Sequence, residues 1–154
     1  MTEDEHWMHE AFIQAQHAEA HQEVPVGAVI VREGKVIGKG HNKSILANDP
    51  SAHAEIIAMR VAAHSLQNYR LTDTTLFVTL EPCVMCVGAI LHARIKRLVF
   101  GARDPRSGAA GSVFNLIADQ RHNHSVELTG GVMEQECGTL LKKFFRLRRK
   151  QQNI

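Results

Sequence analysis

Hydrophobic residues along this chain are spaced in two ways, one typical of helices and one typical of strands. The chain opens with Thr2-x-x-Glu5, which has the form of a capping box, and apolar residues follow it at helical spacing. Short apolar runs of strand length lie at residues 27–32, 35–38, 75–80, 97–101 and 126–128. With helices around them, the predicted order of elements is α-β-β-α-β-α-β-α-β-α.

The predicted helices indicate how the strands are connected. One helix is expected to begin near Ser51, because Asp49-Pro50 suits an N-cap followed by the first helical position. Another follows Glu81-Pro82, and a short helix around residues 114–119 would let the fifth strand run parallel to the fourth. This alternation predicts a three-layer α/β/α fold, in which helices cover both faces of a five-stranded mixed sheet.

Composition agrees with one domain over residues 1–154, since 44% hydrophobic and 22% charged residues are ordinary for a globular chain. No apolar run approaches membrane-spanning length, and the N-terminus is acidic where a secretory signal would be basic. Two of the three cysteines lie in one CxxC motif, so a disulfide framework is not expected. These features predict a cytoplasmic protein that does not enter the membrane.

Two short motifs carry candidate chemistry, His53-Ala54-Glu55 and Pro82-Cys83-Val84-Met85-Cys86. One imidazole and two thiolates can hold a zinc ion and leave its fourth position to water. Glu55 lies two residues from His53, points to another part of the helix surface, and can move protons as a general acid and base. H-x-E followed by P-C-x-x-C is the signature of zinc-dependent nucleobase deaminases.

The predicted metal site is electrically neutral, because two thiolates cancel the charge of zinc and a neutral His53 adds none. Such an ion is a weaker Lewis acid than one held by three imidazoles, which makes a nearby base such as Glu55 more important. Helix N-termini next to His53 and Cys83 would favour the thiolate forms. Both helices follow strand ends, at the sheet edge where α/β proteins usually bind ligands.

Three alternative roles are open for the cysteine and histidine residues. Cys137 could complete a closed four-ligand site that only stabilises the fold, although a lone cysteine in an apolar helix is more typical of a buried hydrophobic position. The CxxC pair could be redox-active, which the preceding H-x-E disfavours. His122-x-His124 could bind a metal, but without a third ligand nearby a surface loop is favoured.

The last predicted helix, about residues 134–150, is strongly basic. From Lys142 to Lys150, six of nine residues are Lys or Arg. This pattern is typical of a solvated helix face, and also of an edge that binds phosphates. Phe144 and Phe145 lie among the cations, and aromatic rings between cations suit base stacking with phosphate contact. Beside a deaminase site, binding of nucleic acid is the favoured interpretation.

Five further segments are more specific to one family than the two motifs are, namely residues 23–28, 80–86, 99–104, 108–112 and 144–149. Through them the chain resembles the bacterial TadA-type tRNA-specific adenosine deaminases over nearly its whole length. The resemblance implies a cytidine deaminase-like fold and a homodimer. It also implies hydrolytic conversion of adenosine to inosine at the wobble position of a tRNA anticodon, with the bacterial arginine tRNA as the expected substrate.

The same resemblance implies roles for individual residues. His53, Cys83 and Cys86 would be the ligands of one zinc ion per chain, and Glu55 would be the proton shuttle. Asn42 is expected to bond the purine edge, and Asp104 is expected to lie against the nucleotide next to the target. The expected contacts of the C-terminal helix with the anticodon stem-loop come from Phe144, Phe145, Arg146, Arg148 and Arg149.

Asp104 and the function as a whole each have competing interpretations. Asp104 could accept a hydrogen bond from a ribose 2′-OH, or it could cap its own loop, as is common for Asp before a proline. A deaminase of free bases or nucleotides would use the same zinc chemistry without a basic tail. A non-enzymatic zinc module that binds nucleic acid would have no use for the unligated carboxylate of Glu55.

Overall fold

The computed structural model describes residues 1–152 and contains a five-stranded sheet with the strand order β2-β1-β3-β4-β5. Within these residues the elements are α1 (Glu3–Ala20), β1 (Gly27–Arg32), β2 (Lys35–His41), α2 (Ala54–Leu66), β3 (Thr75–Leu80), α3 (Val84–Ala93), β4 (Arg97–Ala102), β5 (Glu127–Thr129) and α4 (Glu134–Gln152). β1 pairs antiparallel with β2 and β3, whereas β3, β4 and β5 run parallel. The predicted mixed sheet and parallel fifth strand are confirmed.

The two faces of the sheet are covered by different helices, because successive side chains of a strand point to opposite faces. On one face, the strand residues Val29, Phe77 and Val99 are buried with Met8 and Ala11 of α1. On the other face, the next residues along the same strands are buried with α2 and α3, namely Ile30, Leu76, Leu98, Ala58 and Ile90. The predicted three-layer α/β/α arrangement is therefore confirmed.

Close helix–sheet packing places the start of α2 against β2. A Cβ atom at Gly40 would lie 2.5 Å from the backbone oxygen of Ala54 and 2.6 Å from the backbone nitrogen of Ala58. A side chain there would push the helix away, so glycine lets the first turn of α2 lie directly on the strand. Because His53 is the N-cap of α2, this contact also fixes the position of His53 relative to β2.

One predicted helix boundary is wrong for a local reason. The helix expected near Ser51 begins at Ala54, because the Asp49 carboxylate accepts hydrogen bonds from Ser51 N at 2.9 Å and Ser51 Oγ at 2.7 Å. These bonds stabilise a turn at residues 49–51, so Asp49 does not act as the N-cap of a helix. The capping box of α1 is as predicted, since the Thr2 side chain accepts a hydrogen bond from Glu5 N.

The short helix expected around residues 114–119 is absent from the described part of the chain. The segment forms turns, because the backbone N–H groups of Phe114, Leu116 and Ile117 bond to an earlier loop, whereas Asp119 N donates to Leu116 O as in a turn. Phe114 N donates to Gly108 O at 3.0 Å, and Leu116 N donates to Ala109 O at 3.0 Å. The chain thus reaches β5 through an irregular crossover. Among residues 1–152, no helix has both the length and the apolar composition needed to span a membrane.

Candidate active site

Two helix N-termini bring three metal-binding side chains together at one edge of the sheet. His53 is the N-cap of α2, Cys83 is the N-cap of α3, and Cys86 lies in the first turn of α3. Their ligand atoms all lie within 4.8 Å of one another, and no other group of three such residues does so within residues 1–152. We call His53, Cys83 and Cys86 the metal-ligand group.

The separations within this group fit a tetrahedral metal ion. His53 Nδ1 lies 3.6 Å from Cys83 Sγ and 3.6 Å from Cys86 Sγ. For zinc bonds of about 2.05 Å to nitrogen and about 2.3 Å to sulfur, a tetrahedral angle puts the two ligand atoms about 3.6 Å apart. Imidazole and thiolate donors are also the ones that zinc prefers. The group is thus able to hold a metal ion, with one position of the tetrahedron left open.

Cys137 does not complete the group. It is buried in α4 next to Gly101, where a Cβ atom added to the glycine would lie 2.8 Å from Cys137 Sγ. Burial raises the pKa of its thiol to about 12, which suits a small apolar core residue and not a thiolate ligand. Its sulfur lies outside the metal-ligand group, so the closed four-ligand alternative is wrong.

Hydrogen bonds within the metal-ligand group shift the pKa values of its three members in different directions. The hydrogen bond from Cys86 is the main cause that lowers the pKa of Cys83 to about 4, and His53 adds to it. The same bond, together with burial, raises the pKa of Cys86. The hydrogen bond with Cys83 raises the pKa of His53 against the effect of burial. A cation that binds here would replace these protons.

Glu55 lies beside the metal-ligand group in the first turn of α2, and its side chain is only 4% exposed. Burial raises the pKa of its carboxyl group, whereas the nearby charge of His53 lowers it. A buried carboxyl group whose pKa is shifted toward neutrality is suited to taking up and releasing a proton. This edge of the sheet thus combines a group of residues that can bind a metal ion with a carboxyl group that can transfer protons.

A cavity of about 850 Å³ opens from these residues toward solvent. His53, Glu55 and Cys83 line its inner end, which we call the site floor. Its walls are mostly apolar and include Val24, Val26, Leu80 and Ala102, together with the polar Asn42. At the mouth lie residues 104–107 and one stripe of α4, which we call the rim. A volume of this size can hold a nucleoside.

Asn42 lies in the wall of the cavity and also supports the site floor. Its Oδ1 accepts a hydrogen bond from Ala54 N at 2.8 Å, which satisfies the N-terminus of α2 next to His53. The bond fixes the orientation of the amide and leaves its Nδ2 group as the donor toward a ligand. The sequence predicted a ligand contact for Asn42 but not this structural bond.

Asp104 lies in the rim, where its carboxylate is occupied by its own loop. Oδ1 accepts hydrogen bonds from Arg106 N at 3.0 Å and Ser107 N at 3.2 Å, and Oδ2 accepts one from Ser107 Oγ at 2.9 Å. This is the loop-capping geometry that the sequence left open as an alternative. Asp104 also lines the cavity, so both interpretations of this residue are compatible with its position.

The C-terminal helix α4 presents one stripe to the cavity, and only part of the predicted tail lies on it. Residues three or four apart share a helix face. The stripe consists of Gly138, Leu141, Lys142, Phe145, Arg148, Arg149 and Gln152. Phe144 and Arg146, which the sequence grouped with them, do not line the cavity. Phe144 is half-buried, with the Arg148 guanidinium carbon 5.2 Å from its ring centroid, whereas Phe145 is 41% exposed.

His122 and His124 are occupied by structural hydrogen bonds. His122 Nε2 donates to Leu116 O at 2.9 Å, and His124 Nε2 donates to Ile95 O at 2.7 Å. Neither belongs to a group of three metal-binding residues in the described chain. These bonds agree with the surface loop that the sequence favoured.

Sequence reasoning missed two buried carboxylates that hold the loops around the cavity. Glu23 is 2% exposed and accepts hydrogen bonds from Ile45 N at 3.1 Å and Leu46 N at 2.7 Å. Glu81 is also 2% exposed and accepts hydrogen bonds from the loop that contains Asp104. Both belong to segments that carry the family resemblance, residues 23–28 and 80–86, but the sequence shows each only as a single acidic residue, which is easily taken for a surface position.

Comparisons with known proteins agree with this geometry. The MafB19-like deaminase family model matches residues 2–149. A tRNA-specific adenosine deaminase of Haemophilus influenzae is 54% identical over 98% of this chain and 88% of its own length. That of Bacillus subtilis is 45% identical, over 97% of this chain and 93% of its own.

A solved structure from work on A-to-I editing by tRNA:A34 deaminases at the wobble position of transfer RNA has the same fold. It superposes with a TM-score of 0.85 and 41% identity, over 88% of this chain and 99% of that one. The signature residues, the cavity and these similarities all lead to the same assignment. The chain therefore belongs to the family of tRNA-specific adenosine deaminases.

Proposed function

We propose that this protein converts adenosine to inosine by hydrolysis at the wobble position of a tRNA anticodon, with a bacterial arginine tRNA as its substrate. The observation that carries the proposal is the continuity of one cavity, which joins buried Glu55 and the metal-ligand group to the cationic stripe of α4. Relatives that share most of this chain are tRNA-specific adenosine deaminases. We further propose that residues 1–154 act as a single deaminase domain.

His53, Cys83 and Cys86 would hold one zinc ion per chain, because their donor types and separations fit this metal. Zinc supplies a Lewis acid that makes bound water a better nucleophile at neutral pH. The N-termini of α2 and α3 stabilise the thiolates that the ion requires.

Glu55 would carry protons during the reaction. One carboxylate oxygen takes a proton from the attacking water, and the same carboxyl group delivers it to the exocyclic nitrogen, which leaves as ammonia. Its burial keeps bulk water from competing for the proton, and its raised pKa helps it hold the proton between the two transfers. Because the ligand atoms come from other residues, the carboxylate of Glu55 is not needed as a ligand and can serve this shuttle.

The walls and the rim would bind the nucleotide. Val24, Val26 and Leu80 offer apolar surface to the base, and the Nδ2 group of Asn42 can donate to an acceptor on the purine edge. Phe145 can stack on an unpaired base, while Arg148 and Arg149 reach the phosphates. An anticodon loop suits such a site because its bases are unpaired and accessible.

We also propose a homodimer that works in the cytoplasm. Large apolar side chains are exposed at the start of α3, Val84 and Met85, and in the neighbouring loop, Val113 and Phe114. The loop is held near α3 because Ala109 N donates to Pro82 O at 2.9 Å. A second copy of the chain would cover this surface next to the metal-ligand group.

One experiment separates this function from its rivals. The zinc-loaded protein is incubated with an anticodon stem-loop RNA, free adenosine, free guanine or free cytosine, and released ammonia is measured. We expect turnover of the stem-loop far above that of any free compound. Preferred turnover of a free base would mean a small-molecule deaminase, and no turnover with tight RNA binding would mean a non-enzymatic module. Either result would refute the proposal.

A further inference from the structure

The carboxylate of Glu81 lies where β3 ends, two residues before Cys83, and it is almost fully buried. Every partner it has is a hydrogen-bond donor from one loop. Oε1 accepts hydrogen bonds from Asp104 N at 3.1 Å and from Ser112 Oγ. Oε2 accepts them from Ala110 N at 3.0 Å and Ser112 N at 3.0 Å. Four donors around one side chain match the acceptor capacity of an ionised carboxylate.

Gly108 makes the space for this arrangement. A Cβ atom at this position would overlap the Glu81 carboxyl group and would lie 2.6 Å from Asp104 O. Gly108 N donates to Asp104 O at 3.0 Å, so the loop folds tightly around the carboxylate. Glycine at residue 108 is therefore what leaves room for the carboxylate of Glu81.

This loop, residues 104–112, has two ends with different surroundings. Its inner end is tied to the segment that carries the first cysteine ligand, through Glu81 and through the bond from Ala109 N to Pro82 O at 2.9 Å. Its outer end, residues 104–107, forms part of the rim. The loop has no helix or strand pairing of its own beyond a single bridge between Ala110 and Asn115. The position of the loop part of the rim, residues 104–107, thus depends on the bonds to Glu81.

We propose that Glu81 is a positioning residue for RNA binding. By anchoring residues 104–112, it sets the distance between the site floor and the loop part of the rim, residues 104–107. The inference rests on the proposed function, since it assigns the rim to the nucleotides that flank the target base. Glu81 is among the residues that line the cavity, but its carboxylate oxygens bond to the loop, so it acts on the substrate through residues 104–112. Its loss should affect substrate binding more than the chemical step.

The first test is Glu81→Gln, which keeps the size of the side chain but turns one acceptor into a donor that faces other donors. We expect KM for an anticodon stem-loop to rise by about tenfold, which corresponds to roughly 1.4 kcal/mol, while kcat stays within about twofold. Zinc content should remain at the wild-type level. Amide hydrogen exchange should accelerate in residues 104–112 and not at the N-terminus of α2, a readout that needs no substrate.

Gly108→Ala tests the same contact from the other side. The added methyl group displaces the carboxylate, so it should reproduce the rise in KM and the faster exchange. Because both changes break one contact, the double variant should be little worse than either single variant. Asp4→Asn is the control for general destabilisation, since it breaks the Arg97 ion pair away from the cavity. It should lower the Tm and leave KM unchanged.

Three outcomes overturn the inference. The first is an unchanged KM and unchanged exchange in Glu81→Gln, and the second is additive effects of the two substitutions. The third is loss of zinc with an equal fall in kcat, which would place Glu81 in support of the metal site alone. If Glu81→Gln does not fold, Ser112→Ala removes a single donor and must give a smaller change in the same direction. Failure of the wild-type protein to deaminate the stem-loop would refute the proposed function itself and is thus distinguishable.

Discussion

The site floor and the rim belong to one cavity, yet the protein builds them in opposite ways. His53, Glu55 and Cys83 lie at helix N-termini on the sheet edge, where packing fixes the backbone and surrounding atoms exclude water. Arg148 and Arg149 lie near the end of a helix that faces solvent on most sides. The floor therefore has its geometry before the substrate arrives, whereas we expect the long side chains of the rim to adopt theirs on binding the RNA proposed above.

This difference decides how strongly each region should respond to substitution. Charges in the floor act at short range and are little screened, so one changed group alters the whole site. Charges in the rim are separated by water and ions, and each contributes a small part of a shared attraction. Substitutions in the floor should thus act on the metal and on kcat, and substitutions in the rim on affinity and its salt dependence.

The largest effect is expected from removing a metal ligand. Cys83→Ala leaves two ligands, so zinc content should fall far below one ion per chain and turnover should disappear. Metal analysis of the purified protein, together with the ammonia assay, measures both quantities. Cys137→Ala is the matched control, because this cysteine is buried outside the metal-ligand group. It should keep zinc and activity, and loss of zinc from it would restore the closed-site model.

The second effect tests chemistry separately from metal binding. Glu55→Gln keeps the size of the buried side chain but cannot shuttle a proton, so kcat should fall by about 10²–10⁴-fold or more. Zinc content and Tm should stay close to wild type, because Glu55 is not a ligand. Glu33→Gln is the control. Glu33 lies in the exposed turn between β1 and β2, so this change should leave kcat unchanged. Near-normal deamination by Glu55→Gln with zinc retained would assign the proton transfers to another group.

The floor could be predicted from the sequence because its residues are close together in two short motifs. His53 and Glu55 belong to one motif, and Cys83 and Cys86 to the other, so only the meeting of two helix starts had to be inferred. The strand pattern supplied that inference, since β3 leads directly into α3 at the carboxyl edge of the sheet. The strand pattern did not predict the turn that the Asp49 carboxylate forms with Ser51, because of which α2 begins at Ala54 and not near Ser51.

The rim could be predicted only in part, because its geometry depends on contacts between distant residues. The basic pattern predicted the helix and the resemblance predicted its RNA contacts, but neither showed which stripe faces the cavity, so Arg146 was grouped with Arg148 and Arg149. The fit between Glu81 and Gly108 joins two segments that have no shared pattern in the sequence. A helix was expected at residues 114–119 for the same reason, since nothing in the sequence shows the bonds to residues 108 and 109.

The structure therefore offers a matched pair within the basic helix. Replacing Arg148 and Arg149 with Gln should weaken binding of the anticodon stem-loop and flatten the slope of log affinity against log salt by about 0.7–1 unit per lost phosphate contact. Arg146→Gln removes a charge from the same helix but not from the cavity, so it should change neither quantity appreciably. Equal effects per charge would mean that the helix attracts RNA through its net charge and not through a defined stripe.

The smallest expected effect concerns Asp104 and the choice between RNA and DNA. Its carboxylate accepts three hydrogen bonds from Arg106 and Ser107, and Asn can keep the two to Oδ1 while its amide group donates to the Ser107 hydroxyl. The loop should therefore survive Asp104→Asn, and what changes is the charge presented to the nucleotide next to the target. We expect the ratio of RNA to single-stranded DNA deamination to fall by a few-fold, roughly the effect of one hydrogen bond to a 2′-OH.

Matched RNA and DNA anticodon-loop oligonucleotides measure this ratio, and Ser107→Ala is the control. Ser107→Ala removes one partner of the carboxylate but leaves its charge facing the cavity, so it should keep the wild-type ratio. A lower ratio in Asp104→Asn alone would mean that the carboxylate reads the sugar. The same ratio in both variants and the wild type would limit Asp104 to capping its loop, and the sugar preference would then have to come from the floor and walls of the cavity.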